Sequence, residues 1–139
     1  MLKRAVTDQE IEACFDVMSE LRPQLKRQQF LEIVRGMEQD GYRLAGIMDQ
    51  GRVVAVAGYR IATNLFMGKH LYVDDLVTSE TVRSQGYGEQ MIQWLRDEAV
   101  DAGCNYYHLD SGTHRDQAHK FYFKQGMTIA SYHFSEKLG

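Results

Sequence analysis

The residues of this chain best suited to chemistry lie in its second half. Arg83-Ser84-Gln85-Gly86-Tyr87-Gly88 stands between an apolar run and a strongly helical stretch. A strand-to-helix junction of this kind points several free backbone N–H groups at one spot and adds the positive end of a helix dipole. Its glycines let the backbone approach a ligand with no Cβ in the way. A phosphate or pyrophosphate is the natural occupant. Just upstream stand two adjacent carboxylates, Asp74 and Asp75. Neighbours in a strand point to opposite faces, so at most one of them enters a cleft. A carboxylate in an apolar strand is costly unless satisfied.

Two familiar phosphate motifs do not fit. The dinucleotide fingerprint needs a glycine three residues after Gly88, and Met91 stands there. A P-loop needs Gly-Lys followed by Ser or Thr, whereas Gly68-Lys69 is followed by His70 and precedes a strand. His108, His114, His119 and His133 match no compact zinc spacing, so no metal is expected.

The elements that position these groups can be read from periodicity. A strand is expected over Leu2 to Val6. Thr7 and Glu10 form a T-x-x-E capping box that starts a helix with Ile11, Cys14, Phe15 and Met18 on one face. After Pro23, Phe30, Ile33, Val34 and Met37 repeat the helical spacing, and Gly41 closes that second helix. Tyr42 to Met48 and Val53 to Ile61 flank Asp49-Gln50-Gly51-Arg52 as a hairpin. His70 to Thr78 reads as a central strand and Gly86 to Ala102 as a long helix. A strand from Tyr106 to Asp110, a helix from Asp116 to Lys124 and a last strand from Thr128 to Phe134 follow. The order β-α-α-β-β-β-α-β-α-β means a mixed sheet with helices on its faces, an α/β or α+β layered domain.

The chain has 139 residues, enough for one domain over 1–139. It is 44% hydrophobic and 25% charged, an ordinary globular balance. The net charge of −3 and the lack of a basic run argue against a nucleic-acid surface. The opening MLKRAVTDQE lacks a signal-peptide core, and no stretch reaches the ~20 apolar residues that span a bilayer. Cys14 and Cys104 read as free thiols in a reducing compartment. A cytoplasmic protein without a membrane partner is expected.

Arg83-x-x-Gly86-x-Gly88 resembles the [QR]-x-x-G-x-[GA] acyl-coenzyme A pyrophosphate motif of the GNAT acetyltransferases. Asp75-Leu76-Val77-Thr78 precedes it at the spacing of that family's fourth strand. Ala118-His119-Lys120-Phe121-Tyr122-Phe123-Lys124-Gln125-Gly126-Met127 is similar to the family's A-x-x-F-Y-x-x-x-G-F segment. One helix and one strand separate the two motifs, as in the family, and the likeness covers nearly the whole chain.

The resemblance implies a GNAT-like mixed, mostly antiparallel sheet, splayed between strands 4 and 5 and flanked by helices on both faces. Acyl-pantetheine would lie in the gap, against backbone groups of Leu76, Val77 and Thr78, with an N–H near Leu76 or Val77 polarising the thioester carbonyl. The pyrophosphate would rest on the amides of Ser84, Gln85, Gly86, Tyr87, Gly88 and Glu89, beside Arg83. Tyr122 matches the position of the acid that protonates the leaving thiolate. Asp75 aligns with the family's acidic position and is the first choice for base, with Asp74 and Asp110 as alternatives. Arg115 stands where many relatives carry asparagine, and its longer cation could still reach coenzyme A. The implied activity is transfer of acetyl from acetyl-CoA to a small-molecule or peptide amine. The alternative is a non-catalytic acyl-CoA-binding regulatory module. Homodimers are common among relatives.

Overall fold

Local chemistry accounts for most boundaries. After a short strand β1 (Leu2–Arg4), Thr7 caps helix α1 (Asp8–Ala13). The Thr7 hydroxyl accepts the Glu10 N–H at 3.1 Å, and the Glu10 carboxylate accepts the Thr7 N–H at 3.0 Å. The expected box is complete. The first helix, however, does not run unbroken. The Cys14 thiol bonds the Glu10 carbonyl, the acceptor its own N–H would have used in an α-helix, and that N–H turns to Ile11 instead. One tightened turn therefore separates α1 from α2 (Phe15–Leu21). Helix α3 (Arg27–Glu38) follows, and Gly41, at φ +90°, makes the left-handed exit that a side chain resists. Only Phe30 and Val34 of its expected stripe are buried, and Ile33 and Met37 face solvent.

Strands β2 (Tyr42–Asp49) and β3 (Arg52–Asn64) are joined by Gln50 and Gly51, both at positive φ, the geometry of a tight two-residue hairpin turn. Strand β4 (Gly68–Thr78), a 3-10 turn (Glu80–Val82), helix α4 (Tyr87–Asp101) and strand β5 (Tyr106–Leu109) complete the first part. The sheet order is β1-β2-β3-β4-β5, antiparallel throughout except for the parallel β4–β5 pair. This is the expected mixed, mostly antiparallel sheet.

Alternation along the strands feeds two cores. Ala45, Ile47, Tyr59, Leu71 and Val73 pack with Met91 and Leu95 of α4. Tyr42, Leu44, Val56 and Val77 pack on the opposite face with Ile11, Met18, Phe30 and Val34 of α1 to α3.

The computed structural model describes every residue from Met1 to Gly139, and the chain divides into two compact units, Met1–Leu109 and Asp110–Gly139. The second unit contains helix α5 (Asp116–Lys124), ended by Gly126 at φ +87°. The last strand expected over Thr128 to Phe134 is not formed. Those residues have the right composition, but a strand exists only where a ladder partner takes up its N–H and C=O groups. Ile129, Tyr132 and Phe134 are 68%, 82% and 91% exposed. No helix is long and apolar enough to cross a membrane.

Candidate active site

Strand β4 changes character halfway along. His70 to Val73 pair with Tyr106 to Leu109 of β5, and the pairing stops there. Residues 74–78 continue against β3 alone. The β3 register also shifts at this point. Gly58 faces Asp75 while Tyr59 faces Val73, so Asp74 is an extra residue, a β-bulge. The packing confirms the slip. Leu71 and Val73 face α4 before the bulge; after it Leu76 faces α4 and Val77 faces the other helices.

The bulge fixes which backbone groups are available. Ser79 N–H donates to the Val54 carbonyl of β3 at 2.8 Å. Counting back by twos, Val77 also turns its polar groups to β3, while Leu76 and Thr78 turn theirs to the edge that β5 has left. Of the Leu76 and Val77 N–H groups, ladder parity leaves that of Leu76 at the open edge.

Both aspartates are held. The Asp75 carboxylate accepts Arg22 Nε at 3.0 Å on one oxygen and the Tyr42 hydroxyl at 2.8 Å on the other. Asp74 accepts a two-pronged pair from Arg60 at 2.9 and 2.8 Å. Arg22 Nη2 also donates to the Asp74 carbonyl at 3.0 Å. Burial, and then the charge of Asp75, raises the Tyr42 phenol far above its ordinary value, so it stays a donor. Arg22 Nε and Nη2 both lie 3.0 Å from one Asp75 oxygen, and the Tyr42-bonded oxygen keeps a lone pair for a further donor.

The loop beyond β4 is anchored at several points. Glu20 of α2 accepts the Ser79 hydroxyl at 3.1 Å and the Glu80 N–H at 2.9 Å. Ser84 and Gly86 take positive φ values of 70° and 84°, which turn the chain sharply into α4. The first helical bond at that end runs from the Gln90 N–H to the Gly86 carbonyl at 3.1 Å. The N–H groups of Tyr87, Gly88 and Glu89 therefore have no helical acceptor. Tyr87 donates its hydroxyl to Asp49 at 2.7 Å, which ties the loop to the β2–β3 hairpin. Arg83 is exposed, with a long 3.4 Å contact from Nε to the Thr78 carbonyl.

The first unit thus brings together Asp75, Leu76, Val77, Thr78 and the Arg83–Glu89 loop. The second unit carries Tyr122, Arg115 and Asp110. Tyr122 is half-buried on α5, its ring 5.5 Å from that of Phe121. Burial raises its phenol above the usual value, and the Arg115 cation partly offsets this. Arg115 is the residue that opens α5. Asp110 lies 3.8 Å from His133. His119 bonds the Gly112 carbonyl at 2.9 Å. No group of three or more His, Cys, Asp or Glu side chains could hold a metal ion. Both cysteines are free, and burial pushes the Cys14 thiol up to about 12.

Sequence periodicity did not reveal Arg22, Tyr42, Glu20 or Arg60. Their partners lie 53, 33, 59 and 14 residues away, and no local pattern marks such contacts.

A model of the acetyltransferase (GNAT) family matches residues 7–127. The chain belongs to that family. It is 33% identical over 135 residues to the uncharacterized N-acetyltransferase YhdJ of Bacillus subtilis (strain 168), covering 96% of this chain and 95% of that one. It is 29% identical over 98 residues to the aminoalkylphosphonate N-acetyltransferase of Salmonella typhimurium, covering 70% of this chain and 62% of that one. Its fold is similar to that of AAC(6')-Iy, solved in complex with the bisubstrate analogue CoA-S-monomethyl-acetylneamine. There the TM-score is 0.87 at 13% identity, over 100% of this chain and 97% of that one.

Proposed function

We propose that this GNAT protein acetylates a primary amine with acetyl-CoA, by direct attack in a ternary complex, as one functional domain over 1–139. The observation that carries the reading is the second half of β4. There Leu76 and Thr78 turn their backbone groups to the open edge, with a long Arg83 contact on the Thr78 carbonyl, and the strand runs into a loop whose helix-start amides lack acceptors. Acyl-pantetheine can extend the sheet along that edge, and the pyrophosphate can take the amides of Ser84 to Glu89.

In the proposed reaction the amine nitrogen attacks the thioester carbonyl, the Leu76 N–H stabilises the oxyanion, and the carbon–sulfur bond then breaks. The departing thiolate takes the Tyr122 proton. The raised phenol keeps that proton at neutral pH until the thiolate forms. The proton lost by the amine passes to Asp75 through a water on a remaining lone pair. Arg115 is assigned to a coenzyme A contact. Two free thiols fit a reducing, cytoplasmic setting.

Relatives and neighbours named for aminoalkylphosphonates and aminoglycosides make small-molecule amines the first acceptors to try. Isothermal titration with acetyl-CoA, coenzyme A and NAD comes first, followed by a panel of an aminoalkylphosphonate, an aminoglycoside, a polyamine and a lysine peptide. Micromolar binding of acetyl-CoA without NAD is expected. Tyr122→Phe should lower kcat about 10²-fold with acetyl-CoA affinity retained. Absence of acetyl-CoA binding overturns the proposal. Arg115 at the usual asparagine position favours one other reading, a coenzyme A-binding module without turnover. Tight binding with no acetylated product from any amine would establish it.

A further inference from the structure

A β-bulge costs a sheet something at each occurrence, because the extra residue is left out of the ladder. In β4 that residue is Asp74, and three elements converge on it and its neighbour. Arg22 follows the last residue of α2 in a non-helical conformation (φ −121°, ψ 74°), with Pro23 next, so the chain leaves the helix there. Its guanidinium spans the bulge. Nη2 takes the Asp74 carbonyl at 3.0 Å and Nε takes the Asp75 carboxylate at 3.0 Å. From β2, Tyr42 holds the other Asp75 oxygen at 2.8 Å. From β3, Arg60 holds the Asp74 carboxylate.

Tyr42 reaches Asp75 by lying across Gly58, the residue paired with Asp75. A Cβ at Gly58 would overlap the Tyr42 hydroxyl and ring. The space for this bond is therefore built into the opposite strand.

The position of the bulge matters because strand parity depends on it. If the extra residue moved past Leu76, the Leu76 N–H would turn into the β3 ladder, and its side chain would change faces. We infer that Arg22 and Tyr42 are positioning residues that lock the bulge at Asp74 and so keep the Leu76 N–H at the open edge for acetyl transfer. The inference rests on the acetyl-transfer reading above, and it predicts an effect on turnover without an equal effect on cofactor binding. The loop that takes the pyrophosphate is anchored separately, through Glu20 and the Tyr87–Asp49 bond.

Arg22→Gln, Arg22→Lys and Tyr42→Phe are compared with the wild type in three measurements. These are amide NMR with hydrogen exchange, titration with acetyl-CoA, and turnover of acetyl-CoA with an aminoalkylphosphonate or the panel amine acetylated fastest. Arg22→Gln should shift the amides of Asp74 to Val77 and deprotect those of Asp75 and Val77, which face β3, while those of His70 to Val73 keep their protection. It should also lower kcat about 10- to 100-fold, the scale expected when a reacting group is displaced by an ångström or less. The acetyl-CoA dissociation constant should change by a clearly smaller factor than kcat, since the loop amides that take the pyrophosphate are untouched. Arg22→Lys should recover part of the loss, and Tyr42→Phe should act in the same direction, with the double variant less than multiplicative. Unchanged amides at 74–77, unchanged kcat, or equal losses in kcat and affinity would each overturn the inference. Loss of protection across both halves of β4 would overturn it too, by making Arg22 a general support of the fold. If the wild type fails to bind acetyl-CoA, the proposed function falls, and the amide measurement alone decides whether Arg22 locks the bulge.

Discussion

The two halves of β4 belong to one strand but do different work. Residues 68–73 are bordered by β3 and, from His70 on, by β5, and Leu71 and Val73 are almost wholly buried against α4. Residues 74–78 keep β3, lose β5 and gain a bulge, two held carboxylates and outward backbone groups. In sequence the halves differ as well, His70-Leu71-Tyr72-Val73 in the first against Asp74-Asp75-Leu76-Val77-Thr78 in the second. What separates them is the missing neighbour on one edge, which leaves strand amides without a ladder on that side. Under the proposed function, leaving part of the strand unpaired is what makes room for acyl-pantetheine.

The contrast can be broken most strongly in the first half. Leu71→Ala removes a fully buried side chain and should lower unfolding stability by about 2–5 kcal/mol in a urea titration. The same titration on a second-half variant should show far less. Leu76→Pro supplies that variant, because the Leu76 N–H is not needed by the β3 ladder and proline is tolerated at such positions. Acetyl transfer should fall about 10²-fold or more, the usual cost of one oxyanion donor, with the fold intact by circular dichroism. A Leu76→Pro protein that is as active as wild type would place the oxyanion donor elsewhere.

A smaller effect lies outside both halves and serves as a control. The Lys3 ammonium, then the Thr7 and Val6 N–H groups, hold the partly exposed Glu10 carboxyl at about 2 in place of 4.5. A carboxyl depressed in the folded state adds stability above its unfolded value and loses it as pH falls toward the folded one. Thermal stability should therefore drop between about pH 4.5 and pH 2, and Glu10→Gln should flatten part of that slope. Turnover at neutral pH should be unaffected.

Much of this arrangement was legible in the chain because its signals are local. The Thr7–Glu10 box, the Gln50-Gly51 turn, the glycines before α4 and the span of α5 each depend on residues within a few positions. The break at Cys14 was not legible, since it depends on one thiol choosing a carbonyl over solvent. Nor was the fate of Thr128 to Phe134, because alternation states what a strand would bury and leaves its partner unstated. The clamp on Asp74 and Asp75 was hidden for a similar reason. It joins residues from α2, β2, β3 and β4 that become neighbours only after the sheet has formed.

The overlap between a side chain at position 58 and the Tyr42 ring has a historical consequence. Position 58 cannot gain a side chain while Tyr42 stands. A lineage that gains a side chain at 58 must first have surrendered the tyrosine, and one that restores the tyrosine must first have emptied position 58. The two sites should change in that order across descendants of this chain, along a path whose intermediate step leaves Asp75 to Arg22 alone and an empty space above the sheet.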